Sequence, residues 1–463
     1  MTSTGRTLLR GATVVTMDET LGDLASADVL IEDGKVSRIG PDLDAPGADV
    51  IDVEGCLVLP GLVESHSHLW QGALRGVAHE MATAGEYFAN VHPLAGRFSP
   101  EDMYIATYSM AVELLSLGVT SVFDYCHAVN SPEHADASIA ALQAAGIRAV
   151  FGNSFRDRPE VATRAFHSLE ERITDAARLR AALPVGGLVS LGVCLNNIEE
   201  VDAETNRREI LAARELGVPI AVHSNFPGQV DLIDQRELLG PDIQWVHGST
   251  MTDSELRKIA ASGGTFTFTP EYEMMNGAYP MTGRVLAAGI TAGIGSDLPS
   301  ALNADALFQA RFGLQVERSR INRAERMDGR PPKPQNDSIV TPRTMLRLMT
   351  ADAAKAIGVG AQAGSLSPGK QADIVVLDAR PFGVAPGDPA AHIVLRSHPG
   401  QIRLVMVDGR VRFAGGKVIG VDSPRLQSDL HRIQARITGT ASESSTRTSR
   451  TGDVREQRQE AKR

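Results

Sequence analysis

The sequence predicts an α/β protein, a (β/α)8 TIM-like barrel joined to a small discontinuous β-sandwich domain built from both chain ends. Three observations predict it. Short apolar runs alternate with helix-compatible stretches through the middle of the chain. Helix start and stop signals punctuate that alternation. Strand-rich segments lie before and after the whole series.

The alternating runs are Gly61–His68, Gly118–Tyr125, Ile147–Ser154, Gly187–Cys194, Pro219–Asn225, Asp242–Ser249, Gly264–Pro270 and Ile290–Asp297. Between the first two, Ser99-Pro100-Glu101-Asp102 supplies an N-cap, a first-turn proline and acids for the positive helix end, and Gly118 stops the helix. Further stops fall just before strands at Gly146, Gly217 and Gly289. Strand–helix alternation implies parallel strands with crossover helices. Eight units match a closed barrel, with a doubly wound open sheet as the alternative. The barrel is expected over 59–362 and the composite β-sandwich over 1–58 and 363–425. The sandwich strands are read at Leu8–Val15 and Val29–Val36, then at Asp373–Asp378, Ile402–Asp408, Arg410–Phe413 and Lys417–Ile419. The stretch 440–463 is polar, charged and free of aromatic residues, and is expected to be disordered.

Global properties narrow the function. With 46 basic and 56 acidic residues the net charge is −10, which argues against nucleic acid as a partner. Three cysteines without C-x-x-C spacing suit a reducing compartment better than a disulfide scaffold. Neither a signal-peptide pattern nor a long apolar run is present, so a cytoplasmic protein with no membrane role is expected. Its partners are expected to be a small-molecule substrate and a second copy of itself, as a dimer.

The chemistry gathers at strand ends. Side chains at i and i+2 of a strand share a face, so His66 and His68 meet at the end of the first barrel strand. His223 lies in the fifth run, His247 in the sixth, and Asp297 ends the eighth; His127 follows the second. In such barrels catalytic groups sit where strands end. A lone histidine there is usually a hydrogen-bonded core residue. Several imidazoles and one carboxylate at one rim suit a borderline divalent metal, Zn2+ first, with Fe2+ or Mn2+ also compatible.

The run Val58-Leu59-Pro60-Gly61-Leu62-Val63-Glu64-Ser65-His66-Ser67-His68 resembles the first metal motif of the amidohydrolase superfamily, in the branch of cytosine, guanine and adenosine-type deaminases and triazine (chlorohydrolase-like) hydrolases. Ala221-Val222-His223, Trp245-Val246-His247-Gly248-Ser249 and Gly295-Ser296-Asp297 resemble its later ligand motifs, and Pro368-Gly369-Lys370-Gln371-Ala372-Asp373 resembles its closing motif. The resemblance implies a metal-dependent hydrolase in which His66, His68, His223 and Asp297 hold the ion. Asp297 would also accept the proton of the attacking water, and His247 would orient that water or stabilise the oxyanion. One metal is expected, because no lysine occurs between Lys35 and Lys258 to bridge two from the fourth strand. Cys194 ends that strand and reads as a core thiol rather than a bridge.

Two departures stand out. The branch usually carries a proton-shuttling glutamate three residues after the fifth-strand histidine, where this chain has Phe226. After the seventh strand it reads Thr269-Pro270-Glu271-Tyr272-Glu273 in place of an Asn-Pro-x-Ser-Asn motif. Glu273 first, and Glu271 second, are the expected replacements for the missing acid, against the alternative that both are solvated loop carboxylates. Trp70 and Gln71 follow the metal pair and are expected to stack on, and hydrogen-bond to, a flat ring, although Trp70 can equally serve packing. Tyr87 and Tyr272 are expected to line the pocket. The expected reaction is hydrolysis of a C–N or C–halogen bond in a small heteroaromatic or cyclic substrate. A lyase, hydratase or cyclase on the same scaffold is the alternative, and a non-catalytic scaffold protein comes last.

Overall fold

The computed structural model describes residues 5–158, 161, 163–332, 338–380 and 387–439; the 440–463 tail lies outside them. Eight parallel strands form one sheet in chain order: β6 (Leu62–Ser67), β7 (Val119–Cys126), β8 (Arg148–Ser154), β9 (Val189–Cys194), β10 (Ile220–Ser224), β11 (Ile243–His247), β12 (Thr265–Phe268) and β13 (Ala292–Ile294). Every anticipated barrel strand is present. β6, β7 and β8 are buried along their whole length, as expected of strands covered by crossover helices. The first long crossover helix, Pro100–Ser116, begins with the capping box of Ser99 and Asp102.

The ring closes between β13 and β6. The Asp297 N–H donates to the His66 carbonyl at 3.1 Å, and the His68 N–H donates to the Asp297 carbonyl at 3.2 Å. Glycine makes this approach possible. A Cβ at Gly295 would lie 2.5 Å from the His66 carbonyl oxygen, and one at Gly293 would lie 2.0 Å from Ser65 Oγ. Inside the barrel, Val63, Phe123, Val150 and Cys194 pack with Ala353, Ala354 and Ile357, so Cys194 is part of the core.

The chain ends build a second sheet of nine strands. Before β6 come β1 (Arg6–Val15), β2 (Asp23–Glu32), β3 (Lys35–Gly40), β4 (Asp49–Asp52) and β5 (Cys56–Pro60). After the barrel come β14 (Ile374–Asp378), β15 (Ile402–Val407), β16 (Arg410–Ala414) and β17 (Lys417–Val418). Their order is β17-β16-β15-β14-β5-β1-β2-β3, with β4 beside β1. The expected sandwich is thus one continuous sheet wrapped round its own apolar core. Lys35 pairs with Gln371, the Ala372 N–H donates to the Gly34 carbonyl at 2.8 Å, and Val36, Val376 and Met406 share one cluster.

Two features fasten the units together. Arg148 on β8 is buried and donates to both carboxylate oxygens of buried Asp373, at 2.7 and 3.1 Å. A helix over Ser423–Thr438, which the sequence analysis did not anticipate, buries Ile433 and Ile437. Gln434 Nε2 on that helix donates to the Arg75 carbonyl at 2.9 Å, and Arg97 Nη1 donates to the Ile437 carbonyl at 2.6 Å. The helix therefore braces the connection between β6 and the Pro100–Ser116 helix. No described helix is long and apolar enough to cross a membrane.

Replacing Asp373 by alanine removes the bidentate partner of the buried Arg148 guanidinium and leaves it only Gln362 at 3.1 Å and the part-exposed Asp408 carboxylate at 3.7 Å. The expected loss is about 3–5 kcal/mol of unfolding free energy, measured by denaturant titration. A loss well under about 1 kcal/mol, the range of exposed pairs, would contradict the role given to this contact.

Candidate active site

β6, β10 and the segment after β13 bring four donor atoms to one point. His66 Nε2 lies 3.1 Å from Asp297 Oδ1, His68 Nε2 lies 3.2 Å from the same oxygen, and His223 Nε2 lies 3.4 Å from His66 Nε2. Four ligands about 2.1 Å from a tetrahedral zinc sit about 3.4 Å from one another. These three contacts match that spacing, and within 4.8 Å the donors form two sets that share His66, one with His68 and Asp297 and one with His223 and His247. All four side chains are drawn from strand ends, where the backbone is fixed by neighbouring strands.

Protonation fits as well. Burial pushes His66 down to about 4 and His223 well below the usual imidazole range, so both present neutral lone pairs at pH 7. For Asp297 burial favours the neutral acid, but the surrounding imidazoles, His247 first and then His66 and His68, outweigh it and hold the carboxyl well below its ordinary range. His68 Nδ1 lies 2.7 Å from the Tyr125 carbonyl, an acceptor that fixes the proton on that nitrogen and leaves Nε2 bare. His127 Nδ1 lies 3.1 Å from His68 Nδ1, and His127 Nε2 lies 3.0 Å from the Tyr87 hydroxyl. His127 thus supports the His68 ring from behind.

Asp297 and His247 share a backbone signature. Their φ angles are +65° and +72°, a left-handed conformation that costs non-glycine residues energy and that clusters at functional sites. His247 stacks on His223 with ring centroids 5.3 Å apart, and its ring nitrogens lie within 4.8 Å of those of His66 and His223. Its Nδ1 lies 2.7 Å from Thr269 Oγ1.

Two cavities open on this cluster. The larger, about 540 Å3, is lined by His247, Tyr272, Glu273, Phe88 and Phe226 among others. The smaller, about 30 Å3, lies between His68, His223, His127 and Tyr87, and shares Phe88 and Asn197 with the larger. Tyr272 lines the larger cavity and Tyr87 the smaller. Glu273 is buried, with Oε1 accepting from the Thr269 N–H at 3.0 Å and Oε2 without a partner. Burial, with help from the Asp297 charge, raises its pKa to about 8.

Three expectations are corrected by the packing. Trp70 is fully buried, edge-on to Phe98 and His127 at 5.3 and 5.4 Å, because the chain leaves β6 in a turn, Leu69–Leu74, whose residues all face inward. Gln71 does not reach a cavity. Its Oε1 accepts from Ser300 Oγ at 2.8 Å and its Nε2 donates to the Tyr87 hydroxyl at 3.1 Å, so it positions Tyr87. Glu271 points away from the cavities and accepts from Gln309 Nε2 at 2.8 Å. Phe88 and Thr269 escaped the sequence analysis. A hydroxyl ending a strand just before a proline was the available signal for Thr269; Phe88 carried none.

Fold and cluster together define a (β/α)8 hydrolase with a histidine–aspartate metal site. Residues 57–412 match the model of the amidohydrolase family, and the chain belongs to that family. It is a metal-dependent hydrolase, similar over nearly its whole length to known enzymes. A 5-methylthioadenosine/S-adenosylhomocysteine deaminase of Symbiobacterium thermophilum is 27% identical over 93% of this chain and 99% of its own. A 5'-deoxyadenosine deaminase of Methanosarcina barkeri is 24% identical over 92% and 96%. Among solved structures, a zinc-bound adenosine deaminase from Xanthomonas campestris superposes with a TM-score of 0.80 at 21% identity, covering 94% of this chain and 98% of that one. The zinc complex of an atrazine chlorohydrolase from Arthrobacter aurescens gives 0.79 at 22% identity, covering 92% and 100%.

Metal-saturated protein is expected to hold about one equivalent of divalent ion by elemental analysis. His223→Ala should lose most of it, while the far-ultraviolet circular dichroism stays that of the parent. Two equivalents in the parent, or full loading of His223→Ala, would contradict the ligand set.

Proposed function

We propose that the enzyme hydrolytically removes an amino or halogen substituent from an sp2 carbon of a nitrogen heteroaromatic ring, with Glu273 as the proton donor. The observation that carries this reading is Glu273 itself, a buried carboxyl raised to about 8, with one oxygen unpartnered, on a residue that lines the same cavity as His247. At neutral pH it holds a proton. An amine leaves a ring carbon only when protonated, and Phe226 cannot supply that proton. The deaminase relatives support the C–N form of the reading, and the chlorohydrolase fold supports the C–halogen form.

His66, His68, His223 and Asp297 would hold the ion, for which zinc suits the donor set. A divalent ion there supplies a Lewis acid and a water of lowered pKa. Asp297, held ionised, accepts the proton of the attacking water. The Thr269 hydroxyl has two acceptors in reach, His247 Nδ1 at 2.7 Å and Glu273 Oε1 at 3.5 Å. The shorter contact assigns its proton to Nδ1, which leaves His247 with an N–H at Nε2. That N–H donates to the negative charge developing on the substrate. Glu273 Oε2 then donates its proton to the departing nitrogen.

The protein is further read as a cytoplasmic homodimer. Three buried cysteines without a disulfide suit a reducing compartment. Sedimentation should find a species of twice 49.4 kDa; a monomer would contradict it.

Glu273→Gln should lower kcat for an amino-substituted ring by ~10²–10⁴-fold and far less for a halogen-substituted one. Proton donation needs the neutral acid, so activity on the amine should fall as pH rises through about 8. Glu273→Gln should remove that alkaline limb. Glu271→Gln should match the parent. Equal, small losses on both substrates would remove Glu273 from the mechanism and favour a non-hydrolytic reaction.

A further inference from the structure

We propose that Phe88 and Phe226 form an aromatic clamp that selects rings carrying an uncharged, apolar substituent. The inference rests on the hydrolase reading above and names the substrate class of the same site.

Water wets both phenyl rings. Phe88 is 42% exposed and Phe226 is 55% exposed, yet both line the same 540 Å3 cavity. Exposed apolar surface of this size is stabilised when a ligand covers it. Phe226 follows β10 and Phe88 follows β6, the fifth and first strands of an eight-stranded ring, so the two rings reach the cavity from opposite sides of its mouth.

Neither ring hangs on a loose segment. The Phe226 N–H donates to Gln229 Oε1 at 3.1 Å. Phe88 sits in the helix Ala84–Asn90, capped by Thr83, and the Ala84 N–H donates to Asn276 Oδ1 at 2.6 Å. That last bond ties the first loop of the rim to the seventh. Two rings held in place across a cavity suit a flat or extended apolar group lying between them.

Charge narrows the class. Among the described residues the cavity wall includes Glu199, Glu200 and Glu273 and no lysine or arginine. Glu200 is paired with Arg156 at 2.9 Å, and Arg156 in turn lies 6.0 Å over the Phe88 ring. A carboxylate or phosphate on the substituent would find the Glu199 carboxylate and, among the described residues, no lysine or arginine in the wall. Phe226 stands where related deaminases place a proton shuttle. Here that position recognises the substituent, while the proton comes from the seventh-strand side.

The test uses metal-loaded protein and four 6-aminopurines, carrying methyl, butyl, benzyl or carboxymethyl at N9. Calorimetric Kd and kcat/KM are measured for each. Binding should strengthen from methyl to butyl to benzyl, by about tenfold over the series, with carboxymethyl the weakest. Phe226→Ala and Phe88→Ala should each flatten the methyl-to-benzyl gain, and Phe226→Leu should keep part of it. An unchanged gain in both alanine variants, a parent indifferent to the substituent, tightest binding of carboxymethyl, or binding of none would each overturn the clamp. Ordered binding without turnover would count against the hydrolase reading and leave the clamp standing.

Discussion

The site depends on how the first and last barrel strands meet. Two backbone hydrogen bonds between Asp297 and the His66–His68 segment close the ring, and they leave those three side chains facing one point. The closure is tight enough that only glycine fits at 293 and 295. It also holds Asp297 in a left-handed conformation, a strain of order 1–3 kcal/mol. The same bonds that complete the fold therefore set the spacing of the donor atoms. No flexible loop has to find the ligand geometry, because it is built into strand register.

The charge pattern around that point follows from burial. Desolvation keeps His66, His223 and His247 neutral, while His247 and the other imidazoles around Asp297 hold its carboxyl ionised. A short distance away the same desolvation, acting on a carboxyl with fewer partners, keeps Glu273 protonated. One buried carboxyl is thus ionised and another protonated at the same pH, the states that the proposed base and acid need. Their different surroundings produce the difference.

Much of this was legible in the chain. The strand ends bearing His66, His68, His223, His247 and Asp297 could be read because periodicity fixes which side chains share a face, and β-strands keep that promise. The failures came where the chain leaves a strand. Trp70 and Gln71 sit two and three residues past His68, but a tight turn rotates them inward. Glu271 and Glu273 are two residues apart in a short helix, which sends them to different faces, one to Gln309 and one to the cavity. The helix over Ser423–Thr438 was missed because its apolar face is only a few residues wide. The β domain built from both chain ends was legible too, while the edge contacts at Gly34 and Gln371 that join its two halves are encoded by no local pattern.

X-ray absorption spectroscopy of the zinc-loaded protein tests the central claim most directly. A single zinc with three imidazole nitrogens and one carboxylate oxygen at about 2.0–2.2 Å is the predicted first shell, with any remaining position open. A sulfur at about 2.3 Å, or a second metal at about 3.5–4 Å, would contradict the account of how barrel closure builds the site.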